Sequence, residues 1–232
     1  MSTVRLENIK VCLFDVYGTL FDMRSAFSQS GSLISDSTGM LLDKWRAKQI
    51  EYALLRTCMG YHVDFYKVTR DALEYAIYSL GIPSAGLGTR LMDAMMTLDP
   101  FPEAEAAVRQ VKATGMKVGI LSNGSPEMLE SLIKHAGFDE LFEYVLSAES
   151  VGAFKPHPSV YGLGPKHTHI AVNELVLVSA NSWDVVGAAA FGYKTVWVNR
   201  RLQIREAMPW KADAVITDLS EFPQIIGANS HE

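Results

Sequence analysis

Six short apolar runs punctuate this chain: Val11 to Phe14, Lys117 to Leu121, Tyr144 to Leu146, Leu175 to Val178, Thr195 to Val198 and Ala214 to Ile216. Stretches with helical spacing separate most of them. Pro102 to Thr114 runs up to Gly115, Pro126 to His135 opens behind Ser125 and stops before Gly137, and Trp183 to Ala190 leads into Gly192. A serine hydroxyl followed by proline starts a helix, because the hydroxyl satisfies an end N–H and proline needs none. Glycine ends one by accepting the left-handed turn. Apolar strands alternating with helices predict an α/β class fold with a doubly wound parallel sheet.

One interval breaks the rhythm. From Phe21 to Asp99 no convincing strand is present. Leu41, Trp45, Tyr52, Leu55 and Met59 recur at helical spacing, Phe65 to Leu80 repeats the pattern, and Leu87 to Leu98 is a shorter third case. This predicts a helical insertion of three or four helices, with the serine- and glycine-rich stretch Ser28 to Gly39 as a loop at its base. Asp99-Pro100-Phe101-Pro102 marks the return to the sheet. The boundaries are then residues 1–21 and 100–232 for the α/β core and 22–99 for a helical cap placed after the first strand. The tail Gly227 to Glu232 reads as mobile.

At 232 residues and 48% hydrophobic content the chain buries a sizeable core. A net charge of -5 argues against nucleic acid or an acidic membrane surface as a partner. No apolar stretch approaches membrane-spanning length, and the N-terminus lacks the pattern of a signal peptide. Cys12 and Cys58 lie far apart in apolar contexts and read as packed, reduced thiols of a cytoplasmic protein. The six histidines show no metal-ligand spacing; His167 and His169 read as loop residues.

Ligands of such sheets sit beyond the carboxyl ends of the strands, so four stretches should converge. Asp15-Val16-Tyr17-Gly18-Thr19 follows the first strand. Ser122-Asn123-Gly124-Ser125 follows the second. Lys155-Pro156 comes soon after the strand near Val145, and Ser179-Ala180-Asn181-Ser182-Trp183-Asp184 follows the fourth. One edge would gather a carboxylate able to act as a nucleophile, hydroxyl and amide donors, a lysine and a second carboxylate.

These four segments in this order, together with Trp45-Arg46-Ala47-Lys48-Gln49-Ile50-Glu51-Tyr52 in the insertion, resemble the haloacid dehalogenase superfamily. More narrowly, they resemble its L-2-haloacid dehalogenases. The likeness covers nearly the whole chain and implies a Rossmann-like core with an inserted cap. Phosphatases of the superfamily place a second aspartate two residues after the nucleophile, and begin the fourth motif with a glycine-aspartate pair whose acid binds magnesium. Tyr17 and Ala180 stand at those positions here. A general acid and a metal ligand are both missing. A halide leaves as a weakly basic anion and needs no proton, so no metal and no cofactor are expected.

The resemblance implies hydrolysis of short (S)-2-haloacids to (R)-2-hydroxy acids plus halide. Asp15 displaces the halide from the back of the carbon, and water then cleaves the resulting ester. Arg46 would hold the leaving halide. Ser122 and the backbone N–H groups from Val16 onward would grip the substrate carboxylate, with Asn123 helping at carboxylate or halide. Lys155 would offset the surplus of negative charge. Asp184, held by Lys155, Ser179 and Asn181, would orient or deprotonate the water. Thr19 would fix the rotamer of Asp15. Tyr17 and Tyr161 would line the site, and Ile50, Phe65 and Trp183 would wall the substrate's alkyl group.

Two departures from relatives carry expectations of their own. Ala47 follows Arg46 where some relatives have glutamine, which predicts a more apolar halide pocket. Glycine and proline in Tyr161-Gly162-Leu163-Gly164-Pro165 should shorten a helix there. The alternatives are a ring-opening hydrolase of the azetidine-2-carboxylate type, whose amine leaving group needs a proton, a metal-dependent phosphatase, and a non-enzymatic binding protein. A homodimer is possible, with the exposed cap helices as its surface.

Overall fold

The computed structural model describes residues 5–30, 36–83 and 85–227. Six strands form one parallel sheet: β1 (Val11–Phe14), β2 (Lys117–Ser122), β3 (Tyr144–Ser147), β4 (Leu175–Ser179), β5 (Lys194–Val198) and β6 (Ala214–Ile216), in the order β3-β2-β1-β4-β5-β6. β1 and β4 are buried along their whole length, as strands covered on both faces must be. The chain builds outward from β1 to β3, then returns to the other side of β1 for β4. That reversal opens a crevice at the carboxyl ends of β1 and β4. Phe14 pairs with both Ile120 and Val178, and the Asp15 N–H extends the ladder to the Val178 carbonyl at 3.0 Å. Asp15 is thereby delivered to the mouth of the crevice.

Among the described residues, four helices lie between β1 and the return of the chain at Asp99: α1 (Ser25–Gln29), α2 (Asp36–Met59), α3 (Phe65–Ser79) and α4 (Leu87–Ala94). The outgoing and returning chains run side by side: Asp22 N–H bonds the Asp99 carbonyl and Phe101 N–H bonds the Leu20 carbonyl, each at 2.9 Å. α2 packs along α3, and the Trp45 indole N–H donates to the Thr69 carbonyl at 2.8 Å in a fully buried contact. Asp64 caps α3 through the Lys67 N–H at 2.7 Å. The remaining helices are α5 (Ala104–Ala113), α6 (Pro126–His135), α7 (Pro158–Tyr161), α8 (Leu163–Thr168), α9 (Ser182–Phe191) and α10 (Phe222–Ile225). α6 has the expected Ser125 cap, which accepts from the Met128 N–H at 3.3 Å. Gly162 divides α7 from α8, as the glycine-rich stretch foretells.

Several expectations need correction. The stretch Ser28 to Gly39 is not one loop: α1 continues to Gln29 and α2 already begins at Asp36, while residues 31–35 lie outside the described residues. The expectation for the tail likewise falls outside them from residue 228 onward. Only the first half of the apolar stripe on α2 is buried. Leu41 and Trp45 are buried, with Trp45 bonded to Thr69 of α3, but Leu55 is 46% and Met59 67% exposed. Cys58, on the same outward side, is an exposed thiol, whereas Cys12 is buried in β1. His167 lies within α8 rather than in a loop.

Candidate active site

Asp15, Lys155 and Asp184 form a buried line of charge. The Lys155 ammonium, with a fully buried side chain, stands 3.3 Å from Asp15 Oδ1 and 2.9 Å from Asp184 Oδ2. Its position is fixed from the backbone, where its own N–H donates to Asn123 Oδ1 at 2.8 Å. Burial by itself would drive the ammonium down, but Asp184 and then Asp15 outweigh it and hold the group above the ordinary lysine value. Burial pushes the Asp184 carboxyl up, and Lys155 opposes that only in part. Asp184 Oδ1 accepts from the Tyr161 hydroxyl at 2.9 Å, and the Ser179 hydroxyl adds a further hydrogen bond. Tyr161 is itself held by Tyr193, whose hydroxyl donates to the Tyr161 carbonyl at 2.6 Å.

The other oxygen of Asp15 is held differently. Oδ2 accepts from the Thr19 hydroxyl at 3.0 Å and from Asn181 Nδ2 at 2.8 Å. Thr19 is oriented in turn by the Ala180 N–H, which donates to it at 2.8 Å. Asn181 stands at the N-cap of α9 yet does not cap it. Its side chain is diverted: Nδ2 also reaches the Tyr17 carbonyl at 3.2 Å, and Oδ1 accepts from Arg46 Nη2 at 3.1 Å. Reversing the amide would put oxygen against oxygen and nitrogen against guanidinium, so all three contacts fix one orientation. Forgoing a cap costs about 1 kcal/mol, which identifies the site as the reason for asparagine here.

A divalent cation needs oxygen ligands. At the turn after β1, Asp15 Oδ2 and the Tyr17 carbonyl already accept from one amide nitrogen, and Asp15 Oδ1 faces the Lys155 ammonium at 3.3 Å. Ala180 contributes no side-chain oxygen. Among the described residues no group of three His, Cys, Asp or Glu is placed to hold a metal. This donor set does not fit a divalent ion.

The inner cavity is small, about 20 Å³. Asp15, Lys155 and Arg46 bring charge to it, Gln49, Asn123 and Asn181 bring amides, and Tyr17, Ile50, Ala53, Phe65 and Trp183 form the apolar wall. Arg46, Ile50, Asn181 and Trp183 also border an outer cavity of about 450 Å³ that includes Arg24, Arg200 and Arg201. Burial lowers the Arg46 guanidinium from its ordinary value, with Asp15 opposing the shift. The Tyr17 hydroxyl is buried without a hydrogen-bond partner, and burial plus the nearby Asp15 charge raises it far above the ordinary phenol value. It stays a neutral donor. Gly124 makes room for it, since a Cβ there would lie 2.9 Å from the Tyr17 oxygen.

The sequence expectations divide accordingly. Asp15, Tyr17, Arg46, Ile50, Phe65, Asn123, Lys155, Asn181 and Trp183 meet at the cavity. Val16, Thr19, Ser122, Tyr161, Ser179 and Asp184 stand behind it and are buried. Four expectations change. Asn181 holds Asp15 and Arg46 rather than Asp184, because its amide turns toward the crevice. Tyr161 does not line the cavity; it packs behind Asp184. The Ser122 hydroxyl is turned to the Gly124 N–H at 3.1 Å, within a fully buried side chain. Ala47 is exposed and so does not make the pocket apolar; Gln49 supplies an amide oxygen to Arg46 instead. Gln49 and Ala53 are the lining residues to which the sequence reading gives no role. Their signal was spacing, since residues three and seven after Arg46 share its helix face.

The chain as a whole is similar to known proteins. The chain matches the haloacid dehalogenase-like hydrolase family over residues 9–192. It is 36% identical over 215 residues to an (S)-2-haloacid dehalogenase of Pseudomonas sp. (strain YL), covering 92% of this chain and 93% of that protein. It is 37% identical to haloacetate dehalogenase H-2 of Moraxella sp. (strain B), covering 84% and 88%. The crystal structure of the L-2-haloacid dehalogenase of Xanthobacter autotrophicus with chloropropionic acid covalently bound superposes with a TM-score of 0.85 at 32% identity, covering 94% and 98% of the two chains.

Proposed function

This chain belongs to the haloacid dehalogenase-like hydrolases, and from that premise we propose that it hydrolyses short (S)-2-haloacids to (R)-2-hydroxy acids and halide without a metal ion. The observation that carries this reading is the two-sided grip on Asp15. Thr19 and Asn181 occupy Oδ2, whereas Oδ1 has one longer contact, to Lys155. Oδ1 is the oxygen that attacks.

In the first step an Oδ1 lone pair forms a bond to C2 of the substrate as the carbon–halogen bond breaks, and the electron pair leaves with the halide. The configuration at carbon inverts. Arg46 stabilises the charge that develops on the halide, so its contribution appears in turnover more than in binding. The Tyr17 hydroxyl, lacking a protein partner, is a donor for substrate carboxylate or halide. Asn123 and the backbone N–H groups from Val16 onward serve the carboxylate. Ile50, Phe65 and Trp183 enclose the alkyl group, and the small inner cavity supports short chains.

In the second step Asp184 takes a proton from water, and the hydroxide attacks the Asp15 carbonyl carbon. The ester C–O bond breaks as Asp184 returns its proton to the departing oxygen, so the product leaves as a hydroxy acid with an oxygen that belonged to Asp15, and the Asp15 carboxyl releases the second proton of the water to solvent. Lys155 stabilises the anionic intermediate and keeps the two carboxylates compatible. Tyr161 and Ser179 orient Asp184. The segment 22–99 acts as the cap that excludes water during the first step; its paired crossings at Asp22 and Asp99 support that role.

A ring-opening reaction is less suited to this geometry. A departing amine needs a proton, and the leaving-group side offers a guanidinium and amides. Phosphoryl transfer is less suited still, given the donors around Asp15. A dimer is consistent with the open groove of Tyr52, Leu55, Met59, Tyr61, Tyr75 and Tyr78 on the outer face of α2 and α3. Two unpaired thiols favour a cytoplasmic setting.

The test is halide release from L- and D-2-chloropropionate, chloroacetate and fluoroacetate, with and without chelator. The L-enantiomer is expected to react, the D-enantiomer not, and the chelator to change nothing. Turnover that vanishes on chelation and returns with magnesium overturns the reading. Arg46→Ala is expected to lower turnover about a hundredfold or more, with a smaller change in KM; near-normal turnover removes the halide assignment.

A pH dependence follows from Asp184. The base must be unprotonated, and a raised carboxyl begins to protonate at higher pH than usual. In the ester the Asp15 charge is gone, but burial, the largest cause of the upward shift, remains, so ester breakdown should fall on acidification with a midpoint above the ordinary aspartate value of about 4. Formation of the ester should lack that midpoint. Rapid-quench measurement of the two half-reactions across the acid range distinguishes them.

A further inference from the structure

Gln49 has a fully buried side chain on α2, and Thr69 has one on α3. The Thr69 hydroxyl donates its one proton to the Phe65 carbonyl at 2.6 Å. Its oxygen is then left as an acceptor, and Gln49 Nε2 donates to it, also at 2.6 Å. With its nitrogen so engaged, the Gln49 amide must present oxygen on its other side, where it accepts from Arg46 Nη1. The second guanidinium nitrogen, Nη2, is held by Asn181. Arg46 is thus clamped between an amide from α2 and an amide from the end of β4. Two of its five N–H donors are committed, and the others are left for the cavity.

We propose that Thr69 and Gln49 are positioning residues that set the aim of Arg46, and that they matter most for the halide that most needs help to leave. This deepens the dehalogenase reading and rests on it. The logic is directional. If the Thr69 hydroxyl is removed, nothing tells the Gln49 amide which way to face, and half of its orientations oppose N–H to N–H at Arg46. A guanidinium free to swing still provides positive charge, but it must reorganise as the carbon–halogen bond stretches. Electrostatic stabilisation depends on donors already in place. Chloride is a poorer leaving group than bromide, so its transition state carries more of the burden onto Arg46.

The relay also reaches the apolar wall. Phe65, whose carbonyl starts the chain of bonds, lines the inner cavity with its ring. The Trp45 indole pins the Thr69 carbonyl from α2 at 2.8 Å, so the backbone on which the relay stands is braced independently of the Thr69 hydroxyl. Substituting that hydroxyl therefore perturbs the amide orientation without releasing α2 from α3.

The experiment is single-turnover halide release, enzyme in excess, from L-2-chloropropionate and L-2-bromopropionate, which isolates ester formation from ester breakdown. Thr69→Val is expected to slow chloride release about tenfold, the size typical of losing an outer partner of a catalytic group. Bromide release should slow clearly less, so the bromide-to-chloride rate ratio rises severalfold while substrate binding stays close to wild type. Thr69→Ser, which restores the hydroxyl, should return the ratio to the wild-type value. Gln49→Glu, which keeps the shape but cannot donate to Thr69, should raise the ratio as well. A folded Thr69→Val or Gln49→Glu enzyme with an unchanged ratio overturns the relay. Wild-type enzyme releasing no halide from either substrate overturns the dehalogenase reading instead, so the two failures are distinct.

Discussion

Asp15→Asn is expected to abolish steady turnover, by about 10⁴-fold or more, as loss of a covalent nucleophile does when the surrounding machinery is left intact. The substitution is nearly isosteric. Thr19 can still donate to the amide oxygen, and Lys155 remains paired with Asp184 at 2.9 Å. The melting temperature should change little beside the loss of activity. Labelled water supplies the complementary observation on the wild-type enzyme. Water attacks the ester carbonyl carbon, so after one turnover the label should reside in Asp15 and not in the product. It should enter product on later cycles. Label in the product of the first turnover would mean that water attacks the substrate directly, and would displace Asp15 from the nucleophile's role.

Lys155→Met is expected to produce the largest loss of stability among these variants. The ammonium is buried with both of its carboxylate partners, whose side chains are 7% exposed for Asp15 and 0% for Asp184. Removing one member of a buried ionic set leaves uncompensated charge and costs about 3–5 kcal/mol. In a chain of this size that lowers the melting temperature by roughly 6–20 °C. The loss should be partly relieved on acidification, because protonating Asp184 removes one of the two unpaired charges. Adding Asp184→Asn to the lysine variant should likewise recover part of the melting temperature. A Lys155→Met protein that melts with the wild type would show that water or another group already neutralises this cluster.

The strands were readable because central parallel strands are apolar on both faces, a pattern that turns and glycines delimit sharply. Val11–Phe14 and Leu175–Ser179 are such strands. The positions of Asp15 and Asn181 at their ends followed from topology alone. What Asn181 does there did not follow. An asparagine at a helix start reads as a cap, and only three simultaneous contacts reveal that its amide is turned into the crevice. Gln49 was overlooked for a related reason: a polar residue on a long amphipathic helix reads as solvated until its partner on another helix is seen. Cys58 and Met59 misled in the opposite sense. Helical spacing shows which residues share a face, but not where the neighbouring helix stops covering it.

The location of Arg46 on α2, away from Asp15, Lys155 and Asp184 in the α/β core, separates the chemistry by stretch of chain. Everything that cleaves the ester comes from the α/β core, while the side chain that welcomes the departing anion is contributed by the inserted helices. Leaving-group tolerance and hydrolytic competence can therefore drift independently over evolutionary time. A chimaera carrying foreign helices between Asp22 and Asp99 would be born already knowing how to discharge its acyl intermediate, and would need to relearn only which bond to break.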